Sequence, residues 1–316
     1  MDPRKNLISD LDPAPSRIEF SQRPIVLLCG GSVPQKAHPD LPDPPTRSIR
    51  HRIVNRFPEY ELFRPEEIGD WHADGVFKNL IDFESDLASI CSLIVVVLES
   101  EGAIAEVGAF SQLSDFNKKL IAIVPDNHAD DVSFINLGVL RHLRDSHETA
   151  VKRYPWNIAR PAEADDRTIS DMIEDIKSEL DGLQKSQALK LASEAHLIIL
   201  IYELSRMFIA LKEVEILDAI KVLGGDIKKD NLRRKLFLLE RLGFIKKISY
   251  SDAGYYAAVN SGFHSVRFSL KSKSAFNPTR IRLDVLNYYK ETPQERNRVR
   301  AIERAKIGGV EMAYEI

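Results

Sequence analysis

The sequence predicts an α/β domain built on a parallel sheet, followed by a mostly helical second domain that closes with a β-hairpin. Three observations carry this expectation. Apolar runs alternate with segments of helical period through the first half; the alternation stops near residue 188; and the charge changes sign at the same place. Residues 190–316 carry 23 Lys and Arg against 15 Asp and Glu, whereas residues 1–189 carry 21 against 32. Halves of opposite charge point to different partners. A length of 316 residues exceeds one ordinary domain, and a chain 44% hydrophobic and 29% charged is globular rather than disordered.

Residues 1–22 are polar and punctuated by proline, which predicts an arm lying on a surface, its own or a partner's. Residues 24–31 form a continuous apolar run ending in Gly30-Gly31, the pattern of a buried parallel strand and a tight turn. Pro34, Pro39, Pro42, Pro44 and Pro45 make residues 33–45 a loop. Thr46 caps a helix running to about Phe57, residues 60–63 form a short strand, and residues 76–92 have helical spacing in Phe77, Leu80, Ile81, Leu87 and Ile90. A second apolar strand over 93–98, a helix over 103–116 and a third strand over 119–124 complete the alternation. Strands alternating with helices imply a Rossmann- or flavodoxin-like parallel sheet covered on both faces, with ligands at the carboxyl ends of the strands. Those ends are residues 29–32, 99–102 and 125–127. A helix follows over 134–145, and a charged one over 165–183 either packs on the sheet or connects the domains, whose boundaries fall at 23–187 and 188–316.

Beyond residue 188 the expected order is helix 188–208, helix 214–223, helix 229–242, then a hairpin of strands 244–250 and 255–259. Its turn is Asp252-Ala253-Gly254, where glycine supplies the positive φ. Three helices and a two-stranded wing make a winged helix. The third helix and the wing carry Lys228, Lys229, Arg233, Arg234, Lys235, Lys246 and Lys247, an electrostatic footprint suited to nucleic acid or to a docking partner. The tail continues it with Arg267, Lys271, Lys273, Arg280, Arg282, Arg296, Arg298, Arg300 and Arg304.

Some functions are disfavoured. The longest apolar runs, 93–98 and 197–201, are too short to span a bilayer, and MDPRKNLISD lacks the apolar core of a signal peptide, so a cytoplasmic protein is expected. Cys29 and Cys91 lie in apolar segments without CxxC spacing and read as buried thiols; the eight histidines form no ligand pair, and no metal is implied.

The most informative segment is Gly102-Ala103-Ile104-Ala105-Glu106-Val107-Gly108 after the second apolar strand. Gly102 permits a tight strand-to-helix turn, Gly108 a close approach of helix to sheet, and Glu106 projects from the first helical turn toward the crevice. Glu106 can act as a nucleophile there, or simply complement the positive end of the helix. The stretch resembles the GxxxEhGxA-like motif of nucleoside 2-deoxyribosyltransferases, where h is apolar and the Glu attacks the anomeric carbon of the sugar. The resemblance implies a second carboxylate on the preceding helix, and Asp82-Phe83-Glu84-Ser85-Asp86 offers Glu84 and Asp86, between which the sequence does not choose. It also likens Cys29-Gly30-Gly31-Ser32 to the family's first-strand glycine turn, whose backbone N–H groups contact sugar or phosphate.

Arg47, Arg50, Arg52 and Arg56 crowd one short helix, with Arg47 the best placed to hold a phosphate. Trp71-His72-Ala73-Asp74 either stacks on a base or covers a sheet edge. The whole architecture resembles the effector toxins of retrons. That resemblance implies an antiphage toxin held inactive by a reverse transcriptase and its msDNA, a branched RNA–DNA hybrid, with higher-order assembly compatible with the sequence. The activity implied is cleavage of N-glycosidic bonds, with NAD the preferred substrate, purine deoxynucleotides next, and no separate cofactor. A competing expectation is a nucleotide-sensing regulator whose α/β domain binds without catalysis while the winged helix reads DNA.

Overall fold

The computed structural model describes residues 2–34, 38, 40, 42–57, 61–68, 75–116, 118–126, 132–259 and 262–307, and these divide into two units. One comprises residues 23–71 and 79–183; the other comprises residues 1–22, 72–78 and 184–316. The patch at residues 71–74 and part of the loop after Asp126 lie outside the described residues.

The first secondary elements in chain order are helix α1 (Pro3–Asp10) and strand β1 (Leu11–Glu19). β1 is the middle strand of an antiparallel sheet, between β7 (Ser186–Ala188) and β10 (Ser265–Leu270). The segment expected as a surface arm is therefore built into a sheet. Leu11, Ser16 and Ile18 point inward and are buried, so the prolines Pro13 and Pro15 interrupt the strand without exposing its apolar side. The pairing with β10 shifts register between Asp12 and Arg17, around those prolines.

The α/β unit has the predicted parallel sheet: β2 (Ile25–Cys29), β3 (Glu61–Phe63), β4 (Leu93–Val97), β5 (Leu120–Pro125) and β6 (Val151–Tyr154), in the order β3-β2-β4-β5-β6. The order reverses between β2 and β4, which makes the gap beyond their carboxyl ends the switch-point crevice of a doubly wound sheet. Every residue of β2, β4 and β5 is buried, as expected of strands covered on both faces. On one face Val26, Leu28, Val95, Val97, Ile121 and Ile123 pack on α2 (Ile49–Arg56) and α6 (Asp166–Asp181) through Ile49, Ile53, Ile169, Met172 and Ile176. The charged helix thus packs on the sheet. α3 (Leu80–Ile90) contacts β2, and α4 (Glu101–Phe110) contacts β4.

Helix starts fall where side chains satisfy the free N–H groups. Ser48, rather than Thr46, caps α2; Asn79 caps α3; Ser100 caps α4. The helix expected over 134–145 is a π-helical stretch, Ile135–Leu140, followed by α5 (Arg141–Ser146). β6 was not foreseen: its half-exposed Val-Lys-Arg-Tyr pattern has no apolar run to mark it.

In the second unit α7 (Glu194–Met207), α8 (Glu213–Val222) and α9 (Lys229–Arg241) precede the hairpin of β8 (Ile245–Tyr250) and β9 (Ala253–Ala258). Leu211, just before α8, makes an antiparallel bridge to Tyr256 of β9. Gly254 lies within β9, opposite Ser249, and the positive φ of the turn, 55°, belongs to Ser251. The basic tail forms α10 (Pro278–Glu291) and α11 (Arg296–Ile307). Among the described residues no helix is long and apolar enough to cross a membrane.

Candidate active site

The crevice begins where β2 ends. Gly30 has φ +151°, and a Cβ there would lie 3.1 Å from Cβ of Val97 and 3.2 Å from Cβ and Cδ of Arg50. A Cβ on Gly31 would lie 2.7 Å from that of Ser48 and 3.1 Å from Cδ of Glu99. The glycine turn therefore admits the chain's own Arg50, Ser48 and Glu99. Glu99, the second residue past β4, is the acceptor for this corner: Oε1 takes the N–H groups of Gly31 (3.1 Å) and Arg50 (3.0 Å), and Oε2 takes that of Ile49 (2.6 Å). Burial raises its pKa despite these bonds. The Gly31 N–H expected to meet a substrate is thus committed to a carboxylate. Ser32 contributes its carbonyl, which accepts from Ser48 Oγ at 2.8 Å.

The four arginines expected on this helix separate sharply, Arg47 lying before the Ser48 cap of α2. Arg47 is exposed, and Arg52 and Arg56 both pair with Asp166, tying α2 to α6. Arg50 alone enters the site. It is 4% exposed, donates from Nη1 to the Gly31 carbonyl at 3.3 Å, and pairs through Nη2 with Glu66 at 2.8 Å.

Two carboxyl groups face that guanidinium. Glu106 stands in the second turn of α4, because the helix begins two residues earlier than expected. Burial raises its pKa, the Arg50 charge and a hydrogen bond with the Cys29 thiol oppose the rise, and Glu66 adds to it. Glu84, buried on α3, is pushed up to about 7 by burial and by the charges of Glu106 and Glu66, again opposed by Arg50. The Cys29 thiol is driven well up by burial and then by both carboxylates. Glu84 and Glu106 thus share one desolvated field, with Arg50 as its cation. Asp86 is also buried, but two residues along a helix turn the side chain about 200° away from the direction of Glu84. α3 is held at its other end by half-buried Lys119, whose Nζ donates to the carbonyls of Ala88, Ser89 and Cys91 at 2.9, 3.2 and 2.9 Å.

Gly102 lies exposed in the first turn of α4, with Ser100 Oγ 3.9 Å from where a Cβ would sit. Gly108 does not mark a close approach: a Cβ there would meet nothing within 4 Å, because Val107 and Phe110 carry the buried face. Apolar side chains are exposed at the carboxyl end of the sheet, namely Leu80 and Ile81 opening α3, Ile104 opening α4, and Val132, Phe134 and Leu137 after β5. Such a rim suits the flat face of a base. Among the described residues no group of three or more His, Cys, Asp or Glu side chains converges to hold a metal ion.

A family model described as STM3845 retron effector protein matches residues 46–247, which include Arg50, Glu84 and Glu106. The chain belongs to the STM3845 retron effector family. It is 31% identical over 136 residues to a retron Ec86 protein of Escherichia coli named as a candidate ribosyltransferase/DNA-binding protein, covering 42% of this chain and 41% of the relative. It is 28% identical over 113 residues to the correspondingly named retron Ec73 protein of Escherichia coli, covering 34% of this chain and 36% of the relative. The matches span less than half the length of either relative.

In the second unit of this retron effector the basic residues are unequally free. Lys229 and Arg233 reach Glu213 at 3.8 and 3.1 Å, Arg234 lies over the Phe77 ring, and Lys235 is fully buried against Glu194 at 2.5 Å. Lys228, Lys246 and Lys247 are exposed, with Lys247 6.0 Å from the Tyr256 ring. In the tail Arg267 pairs with Glu19, Arg300 donates to Tyr250, and Arg298 is buried.

Proposed function

We propose that this retron effector is an antiphage toxin whose α/β unit, nucleoside deoxyribosyltransferase-like, cleaves the N-glycosidic bond of nucleotides, NAD by preference and purine deoxynucleotides next. The observation that carries the reading is the pair of desolvated carboxyl groups, half-buried Glu106 and buried Glu84, in one field with Arg50. Glu106, drawn toward its ionised form by Arg50 and Cys29, attacks C1′ of the sugar while the C1′–N bond breaks and its electron pair leaves with the base. A departing purine takes a proton, which the carboxyl of Glu84 supplies; nicotinamide, leaving from its pyridinium form, departs neutral and takes none. Water then attacks C1′, the Glu84 carboxylate accepts its proton, and Glu106 is freed. The names of the Escherichia coli relatives, which speak of ribosyl transfer, support the same chemistry.

The second unit is read as a winged helix, from α7, α8 and α9, the β8–β9 hairpin and the Leu211–Tyr256 bridge. Its free lysines, Lys228, Lys246 and Lys247, give the unit a surface for the retron's reverse transcriptase and msDNA, which hold the toxin inactive until infection.

The test incubates the full chain, with and without its reverse-transcriptase complex, with NAD and separately with deoxynucleotides, and follows base release by chromatography beside Glu106→Gln. Base release by the wild type that disappears in the variant is the expected outcome. Intact nucleotides under every condition, together with tight sequence-specific DNA binding, would replace the glycosidase by a nucleotide-sensing regulator.

A further inference from the structure

Two buried polar atoms in the crevice have no hydrogen-bond partner among the described residues: Nε of Arg50 and Oε2 of Glu106. They are of opposite kind. Nε–H can only donate, and a carboxylate oxygen can only accept. Their neighbours are engaged: Arg50 Nη1 with the Gly31 carbonyl, Nη2 with Glu66, and both oxygens of Glu99 with backbone N–H groups. Buried polar groups without partners are rare in folded proteins, and at a candidate site they mark where a ligand completes the bonding. Glu106 hydrogen-bonds the Cys29 thiol, and a Cβ on the neighbouring Gly30 would lie 3.2 Å from Cβ and Cδ of Arg50, so both side chains reach the same corner at the end of β2.

One common functional group satisfies both at once. A hydroxyl accepts from an N–H and donates to a carboxylate, which neither a phosphate nor a second carboxylate can do. We propose that Arg50 is the sugar-reading residue of this effector, with a ribose hydroxyl beside the anomeric carbon accepting from Arg50 Nε and donating to Glu106 Oε2. The assignment rests on the glycosidase reading for its location, since a Glu106 that attacks C1′ lies next to the 2′-hydroxyl. It adds the consequence that a ribosyl group is preferred to a 2′-deoxyribosyl group, because the deoxy sugar leaves both atoms unpaired. Arg50 is suited to the task for a geometric reason. Gly30 lets its stem cross the end of β2, Glu66 and the Gly31 carbonyl hold two corners of the planar guanidinium, and Nε is left without a partner.

Equilibrium binding separates this proposal from catalysis. Calorimetry with the full chain compares AMP with dAMP, for the wild type and for Arg50→Lys, which keeps the charge but removes Nε. The wild type is expected to bind AMP about 10- to 100-fold more tightly than dAMP, and Arg50→Lys to bring the two within a factor of about two. Equal binding of AMP and dAMP by the wild type overturns the proposal whether or not the variant folds, and so does binding of neither. A ribose preference that survives unchanged in folded Arg50→Lys overturns it too. Base release by the wild type and by Glu106→Gln is measured in parallel. Ribose preference without base release defeats the glycosidase and leaves Arg50 as the sugar reader; base release without ribose preference does the reverse.

Discussion

Each of the two units buries a cluster of charges, and the clusters are built on opposite plans. In the second unit Arg298, 1% exposed, gives its guanidinium to Glu215, Glu295 and the Ala210 carbonyl, while Arg4 reaches Asp2, Glu215 and Glu295 and lies over Tyr289. Against the cost of burial, these bonds hold the carboxyls of Glu215 and Asp2 below their ordinary range. In the α/β unit Glu84, Glu99 and Glu106 all titrate above theirs, and Arg50 and Glu106 keep unpaired atoms. A buried charge with every bond made serves the fold; one left hungry in a crevice serves chemistry.

The contrast can be broken by mutation. Glu106→Gln should lower base release at least about 1,000-fold and leave the melting temperature unchanged or higher, because a desolvated carboxylate is removed. A clear loss of stability would place Glu106 among the structural charges. Arg298→Ala should destabilise the protein by about 3–5 kcal/mol in denaturant unfolding, since it empties a fully buried site and breaks the bonds to Glu215, Glu295 and the Ala210 carbonyl. A cost below about 1 kcal/mol would show that the second cluster is as dispensable as a surface pair.

Acidity sharpens the comparison. Glu84 has a folded pKa of about 7 against 4.5 for the free group, so the folded state holds its proton more tightly and the stabilisation fades as the pH rises from about 4.5 to about 7. Glu215, with a lowered folded pKa, contributes stability above the free value that is lost as the pH falls. Hydrogen exchange across this range should show the α/β unit loosening toward neutrality and the second unit loosening in acid, and Glu84→Gln should flatten the first trend alone. Turnover should divide likewise: release of a purine, which needs the Glu84 proton, falls above about pH 7, whereas release of nicotinamide does not. The smallest effects concern the surface. Lys246→Ala and Lys247→Ala should each reduce the salt dependence of nucleic-acid binding by about one charge, while Arg233→Ala, already paired with Glu213, changes it less. Equal slopes for all three would mean that the Glu213 pair opens on binding.

The parallel strands and most helices were legible because each has its own local cause. Continuous apolar runs have no stable place except inside a covered sheet, and helical spacing marks the helices between them, whereas the caps Ser48, Asn79 and Ser100 came from the structure, Thr46 having been expected for the first. Glu106 was legible for the same reason, as an acid following a strand and a glycine. β6 and β1 were not: the first lacks an apolar run, and the second is polar, broken by prolines and paired with residues far along the chain. Arg47 was favoured over Arg50 because nearness to the proline loop can be read from spacing, whereas burial cannot.

What the sequence by itself determined is the apolar parallel strands, most of the helices between them and the presence of acids after an apolar strand, since period and turns act over a few residues. Only the tertiary structure decided which charges meet. It set Glu84 in the field of Glu106, turned Arg50 inward and gave the Gly31 N–H to Glu99. The physical reason is that an ionisable group takes its character from desolvation and from charges within a few ångströms, and those neighbours arrive from strands and helices distant in the chain, as Arg50 lies 56 residues from Glu106.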